Sequence, residues 1–144
     1  DTTFKTNAIR TLNWATYTVA DDGRNRYIRD DVWLTDGYGD YVRHYLRAMA
    51  AFPELAPDNK NRLVSTTSVI KNIQYTEGKI SYTTYDPKST EKLRLLKRPA
   101  NVFAGGQRLS EMISPEVDGY TWIPLPKGGI LRITKSAPTI EILF

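Results

Sequence analysis

From Leu63 to the last residue the chain alternates apolar and polar side chains with a period of two, and ahead of that run one segment repeats with the period of a helix. A period of two sends successive side chains to opposite faces of a strand, so the long run predicts half-buried strands. Ile70-Lys71-Asn72-Ile73-Gln74-Tyr75, then Glu77-Gly78, then Lys79-Ile80-Ser81-Tyr82-Thr83-Thr84-Tyr85 predict a hairpin with a glycine in its turn. Asp86 to Ser89 predicts the next turn. Lys92 and Arg94 alternate with Leu93 and Leu95, which reads as a strand with a solvated basic face. Pro99 precedes Val102-Phe103, Gly105-Gly106 turns the chain back to Leu109, and Tyr120 and Trp122 flank Thr121. Gly128-Gly129 then starts a strand carrying Leu131 and Ile133, and Ile140, Ile142 and Phe144 share one face of the last. About seven or more short strands separated by Gly and Pro turns predict a mainly β chain, an antiparallel β-sandwich in which each sheet has one wet face.

A short α-helical segment precedes the sandwich. Tyr41, Val42, Tyr45, Leu46 and Met49 fall on one stripe at helical spacing and predict a helix over about residues 39–51 that buries this stripe, with Arg43, His44 and Arg47 off it. Pro53 and Pro57 end it. Upstream, Ala8-Ile9 and Leu12-Trp14-Ala15 fit either a short helix or a strand, Thr16 to Val19 favours extended structure, and Asp21-Asp22-Gly23 signals a turn. The polar, proline-containing stretch Pro53 to Asn61 separates the two periodicities, which divides the chain into a helical and irregular segment, 1–57, and a sandwich, 58–144.

Composition narrows the function classes. The 144 residues suffice for one domain with an extra helical segment. The net charge of +4 is spread among Asp and Glu rather than gathered on one stripe, so no nucleic-acid partner is expected. Cysteine is absent and His44 is the only histidine, which excludes disulfides and argues against a structural metal; no cofactor is expected. No apolar run approaches the roughly 20 residues of a membrane-spanning helix, and no membrane partner is expected. The chain opens at Asp1 without a secretory leader, so a processed protein or a piece of a longer one is expected.

The stretch from Trp33-Leu34-Thr35-Asp36-Gly37-Tyr38-Gly39-Asp40-Tyr41 through Met49, followed by Phe52-Pro53-Glu54-Leu55-Ala56-Pro57, resembles the end of the α-helical toroid in exported bacterial proteins similar to six-hairpin glycosidases. The later segments Arg98-Pro99-Ala100-Asn101-Val102, Gly105-Gly106-Gln107-Arg108-Leu109, Tyr120-Thr121-Trp122, Gly129-Ile130-Leu131-Arg132-Ile133 and Ile140-Glu141-Ile142 resemble the β-sandwich that closes many glycoside hydrolases. The resemblance spans residues 33–144 and implies a carbohydrate-active, secreted or periplasmic parent protein, with an adjoining domain of the same chain as partner. It transfers no catalytic residue, because in such enzymes the acid and base sit on earlier toroid segments.

Trp33, Asp36, Tyr38, Asp40 and Tyr41 crowd aromatic rings and carboxylates into one corner, the chemistry that stacks on a sugar's C–H face and accepts from its hydroxyls. The simpler reading packs the rings into the core and lets Asp36 or Asp40 cap the helix. Asp21, Asp22, Asp30, Asp31, Asp36 and Asp40 also suit a glycosidase pair, whose carboxylates stand about 5–10 Å apart, but loop acids more often form turns. None of the serines lies in a nucleophile elbow near His44, and no calcium-loop pattern is present. Among Tyr75, Tyr82, Tyr85, Tyr120 and Trp122, most are expected to pack, whereas Tyr85 has the parity opposite to Ile80 and Tyr82 and is expected on the exposed side as a sugar contact. The chain therefore reads as an accessory domain, with a carbohydrate-binding module and a small glycosidase as the alternatives.

Overall fold

A computed structural model describes residues 2–16, 24–25, 36–114 and 116–144, with side chains for 3–12, 42–114 and 116–144. The chain divides into two units, Asp1–Ala48 and Met49–Phe144. In the first, helix α1 (Thr2–Thr16) precedes a short antiparallel ladder of β1 (Arg24–Asn25) on β2 (Asp36–Gly37), and helix α2 (Tyr38–Ala51) follows directly. The N-terminal ambiguity thus resolves as helix. Ile9 and Leu12, three residues apart, are half-buried, while Phe4 stands exposed. The turn signal at residues 21–23 lies outside the described residues. On α2 the apolar stripe is narrower than its spacing predicts: Val42, Tyr45 and Met49 are half-buried, but Leu46 is 56% exposed.

The second unit is a sandwich of two antiparallel sheets. The four-stranded sheet has the order β3 (Arg62–Thr66), β6 (Ser89–Leu95), β10 (Gly129–Lys135), β9 (Gly119–Pro124). The five-stranded sheet has the order β4 (Ile70–Tyr75), β5 (Lys79–Thr84), β11 (Thr139–Leu143), β7 (Asn101–Ala104), β8 (Gln107–Arg108). Register follows from parity. Leu63, Leu93, Leu131 and Trp122 line up across the first sheet, and Tyr75, Ile80, Ile142 and Val102 across the second. Apart from Tyr75, which is 45% exposed on the edge strand, these side chains turn inward, so the apolar alternation of the sequence becomes the facing layers of one core. Each large apolar side chain sealed there contributes roughly 1.5–3 kcal/mol.

Turn chemistry fixes two hairpins. Gly105 and Gly106 both have positive φ, 57° and 81°, the conformation of the two-residue turn that matches strand twist, and they join β7 to β8. At the β9–β10 turn a Cβ on Gly129 would lie 2.4 Å from the Trp122 ring, so backbone and indole can touch only because the side chain is missing.

One strand departs from the sequence expectation. Strand β6 does not carry a solvated basic face: Arg94 is buried as fully as Leu93 and Leu95, and Lys92 is half-buried. The cause is the segment that enters the sandwich. A 3-10 helix (Pro53–Leu55) and the buried Ala56 lie over β6 and β10 and roof the outer face of the four-stranded sheet. Lys92 donates to the Ala50 carbonyl at 3.0 Å, placing a cation at the C-terminal end of α2, whose own last turn has no basic residue.

Candidate functional site

The residues proposed for sugar contact fall into two groups. Trp33 lies outside the described residues. Asp36 is in β2, opposite Asn25, and Tyr38, Asp40 and Tyr41 form the first turn of α2. A carboxylate at Asp40 sits where it suits the helix dipole. The side chains of these four residues lie outside the described ones, and Asp21, Asp22, Asp30 and Asp31 lie outside altogether. His44 is exposed on α2. Tyr85 belongs to the sandwich and is 68% exposed, as its parity predicts, with the Lys71 ammonium 5.0 Å from its ring centroid.

The most concentrated chemistry of the sandwich is internal. Glu91 and Lys135 are fully buried between the sheets, with Nζ and Oε1 3.9 Å apart. They sit diagonally on adjacent strands, since Glu91 faces Ile133 and Lys135 faces Ser89, a separation that only long side chains span. Glu91 Oε1 accepts from Ser89 Oγ at 2.6 Å and Thr66 Oγ1 at 3.3 Å; its other oxygen accepts from the Tyr82 hydroxyl at 3.4 Å. Lys135 donates to Thr84 Oγ1 at 2.7 Å and to the Pro87 carbonyl at 3.3 Å. Thr84 passes its own proton to the Asp86 carbonyl at 2.7 Å. Tyr82 and Thr84 come from the five-stranded sheet and the charges from the four-stranded one, so the cluster ties the two sheets together.

Burial sets the acid–base character of the cluster. It pushes the Lys135 ammonium below the ordinary lysine range, with Glu91, Asp118 and Asp86 pulling in the opposite direction. Burial, then the charge of Glu91 and the hydrogen bond to it, raise the Tyr82 phenol well above its usual value. Sequence reading missed this cluster, although parity carried the signal. Glu91 shares the inward parity of Leu93 and Leu95, and Lys135 that of Leu131 and Ile133. No solvent-facing atom of Glu91 or Lys135 is available to a substrate, so the cluster can cross-link the sheets but not act on a ligand.

Arg94 is a third buried ion, on the strand that the segment 53–55 covers. Its Nη1 donates to the Leu95 carbonyl at 2.7 Å and the Gly129 carbonyl at 3.3 Å, and Nη2 donates to the Lys127 carbonyl. Its Nε has no hydrogen-bond partner among the described residues. The guanidinium thus gathers three carbonyls at the β6 end and the β9–β10 turn, a structural role.

Two shallow depressions are lined by the described residues of the sandwich. One, of about 380 Å³, is lined by Glu111, Met112, Ile113, Thr121 and Trp122, and nearby Ile113, Val117 and Ile123 expose apolar side chains. The other, of about 200 Å³, lies on the outer face of the five-stranded sheet, lined by Asn72, Gln74, Ser81, Thr83, Thr139 and Glu141 with the backbone of Tyr82 and Ile140 beneath. Among the described residues no group of His, Cys, Asp or Glu is placed to hold a metal ion, and no helix is long and apolar enough to cross a membrane. Comparisons with protein-family models, curated proteins and solved structures find no match to this chain.

Proposed function

We propose that this chain is a non-catalytic accessory β-sandwich domain of a secreted or periplasmic carbohydrate-active protein, whose work is to hold a neighbouring domain of the same polypeptide. The observation that carries this reading is the apolar surface beside the 380 Å³ depression. Ile113 is fully exposed and lines the hollow with Met112 and Trp122, and Val117 and Ile123, close to it in sequence, are 65% and 45% exposed. Large apolar side chains grouped in this way suit a surface that another folded body covers. The sealed Glu91–Lys135 cluster supports the same reading, because its acid–base groups are committed to joining the sheets. The resemblance of residues 33–57 to the end of a helical toroid supplies the kind of neighbour.

The test compares Ile113→Glu and Ile123→Glu in the chain of residues 1–144 and in the complete gene product. In the short chain both variants should unfold within about 0.5 kcal/mol of the parent, since each side chain already meets water. In the complete protein they should lower the unfolding temperature and expose the inter-domain segment to limited proteolysis. Equal behaviour of variant and parent in the complete protein, or hydrolysis of glycosides by the short chain alone, would overturn the proposal. A second reading, a carbohydrate-binding module, is favoured by one observation: the exposed Tyr85 ring stands beside a sheet face rich in amides and hydroxyls.

A further inference from the structure

Among the described residues, one set of neutral polar side chains on the five-stranded sheet is grouped and unengaged. The amides of Asn72 and Gln74 and the hydroxyls of Ser81, Thr83 and Thr139 make no hydrogen bond within the described residues. They stand on three adjacent strands in two cross-strand rows, Asn72–Thr83–Thr139 and Gln74–Ser81–Glu141. Strand spacing and the two-residue repeat set them on a grid of about 5 by 7 Å. Glu141, the acid of the grid, is paired with Lys79 at 2.5 Å, so the face carries little net charge. The wet face of an ordinary sheet is dressed with charged side chains of both signs for solubility. Here, beside the Lys79–Glu141 pair, the three strands present amides and hydroxyls that can both donate and accept.

An aromatic ring completes the surface. The Tyr85 amide donates to the Val69 carbonyl at 2.8 Å, which carries the β4–β5 ladder one step beyond Thr84. Tyr85 therefore takes the outward parity of Ser81 and Thr83 and sits at the end of their row. A register shift between Ile70 and Asn72 bulges β4 at Lys71, and the Lys71 ammonium lies 5.0 Å from the Tyr85 ring centroid. That contact lies against a ring that stays 68% exposed.

We infer that this outer face of the five-stranded sheet binds a neutral oligosaccharide, with Tyr85 stacking on one sugar ring and the Asn72, Gln74, Ser81, Thr83 and Thr139 side chains bonding the hydroxyls of the next. The chemistry selects this ligand over others. A nucleic acid or anionic polymer requires several unpaired cations along its path, whereas on this face Lys79 is paired with Glu141 and Lys71 alone keeps an unneutralised charge. A peptide pairing by its backbone would add beside the edge strand β4 rather than lie over the face, whose central strands β5 and β11 are paired on both sides. The hollow, of about 200 Å³, is smaller than a drug-sized pocket and open, which suits the rings of an extended chain lying along the face. The inference rests on and deepens the carbohydrate-binding reading, and it is independent of the support role, which concerns a different surface.

The test is calorimetric titration and amide-shift mapping of the chain of residues 1–144 with neutral oligosaccharides of glucose, xylose, mannose and galactose, and with polygalacturonate and heparin as charged comparators. At least one neutral oligosaccharide should bind at millimolar concentration or tighter and shift the amides of β4, β5 and β11. Tyr85→Ala and the Asn72→Ala/Gln74→Ala pair should each weaken it about tenfold without lowering the unfolding temperature, and Ile113→Glu should leave it unchanged. The inference is overturned if no neutral oligosaccharide binds, if the polyanions bind better, or if affinity survives at Tyr85→Ala and is lost at Trp33→Ala.

Discussion

Lys135 and Glu91 lie 3.9 Å apart with neither side chain reaching solvent, and each is hydrogen-bonded mainly by neutral partners, Glu91 by Ser89, Thr66 and Tyr82 and Lys135 by Thr84 and the Pro87 carbonyl. Such a pair contributes less to stability than its separation suggests, because both ions have been taken out of water. Removing one partner is another matter. Glu91→Gln or Lys135→Met strands the other charge in the core, and each should lower stability by about 3–5 kcal/mol in urea unfolding. The double variant Glu91→Leu/Lys135→Met should lose less than the sum of the singles, by a coupling of about 1–3 kcal/mol. Strict additivity would mean that the two ions do not sense one another.

The same pair gives stability a defined response to alkali. The Lys135 pKa is lowered on folding from its ordinary 10.5, so the unfolded chain binds the extra proton and stability rises with pH between the lowered value and 10.5. The Tyr82 pKa is raised from its ordinary 10.0, so the folded chain keeps its proton longer and stability falls as pH climbs above 10.0. Relative to Lys135→Met, the parent should therefore gain stability as pH rises towards 10.5. Relative to Tyr82→Phe, it should lose stability above pH 10.0. Denaturant unfolding at a series of pH values reads both differences; a parallel course for parent and Lys135→Met would show that burial does not perturb the lysine.

Where one sheet face meets water, period two is sufficient to place the strands, and the sandwich from β4 to β11 was legible in the sequence for that reason. Legibility ended where a second layer covers a strand. Lys92 and Arg94 have the sequence signature of a wet face, yet the 3-10 helix at Pro53–Leu55 lies over them, and nothing local in Leu93-Arg94-Leu95 announces that roof. Glu91 and Lys135 could have been read from parity, but a charged residue on an apolar face ordinarily argues for a break in the pattern rather than for a buried pair. In the candidate site, the parity of Tyr85 revealed its exposure. The bulge that brings Lys71 to its ring, and the alignment of Asn72 with Thr83 and Thr139, depend on register, which a single strand's sequence does not encode. Helix α1 was ambiguous because its apolar residues are few and Phe4 does not join them.

The β9–β10 turn offers a steric test of packing. A methyl group at Gly129 would meet the Trp122 ring at 2.4 Å and the Ile123 carbonyl at 2.6 Å, and neither is the loose end of a flexible side chain. Gly129→Ala should cost about 1–3 kcal/mol, typical of an overpacked site. Gly78→Ala is the control, since its added Cβ meets nothing within 4 Å in the β4–β5 turn. Thermal unfolding should separate the two variants clearly, with loss confined to the first. Equal stability would mean that the indole can move aside.

Tyr75 and Leu63 join the open edges of the two sheets. The Leu63 amide donates to the Tyr75 hydroxyl at 2.9 Å, so β3 at the edge of the four-stranded sheet is tied to β4 at the edge of the five-stranded one. Each edge strand has a neighbour on one side only and depends on such contacts to stay closed. Tyr75→Phe keeps the ring and removes the acceptor, which should lower stability by about 0.5–1.5 kcal/mol. The more specific readout is hydrogen exchange. The Leu63 amide should lose protection in the variant, while amides of β10, paired on both sides, should slow and speed only with global stability. Retained protection at Leu63 would show that the edge is held by its ladder to β6 alone, and that the tyrosine bridge does not fasten the sandwich on that side.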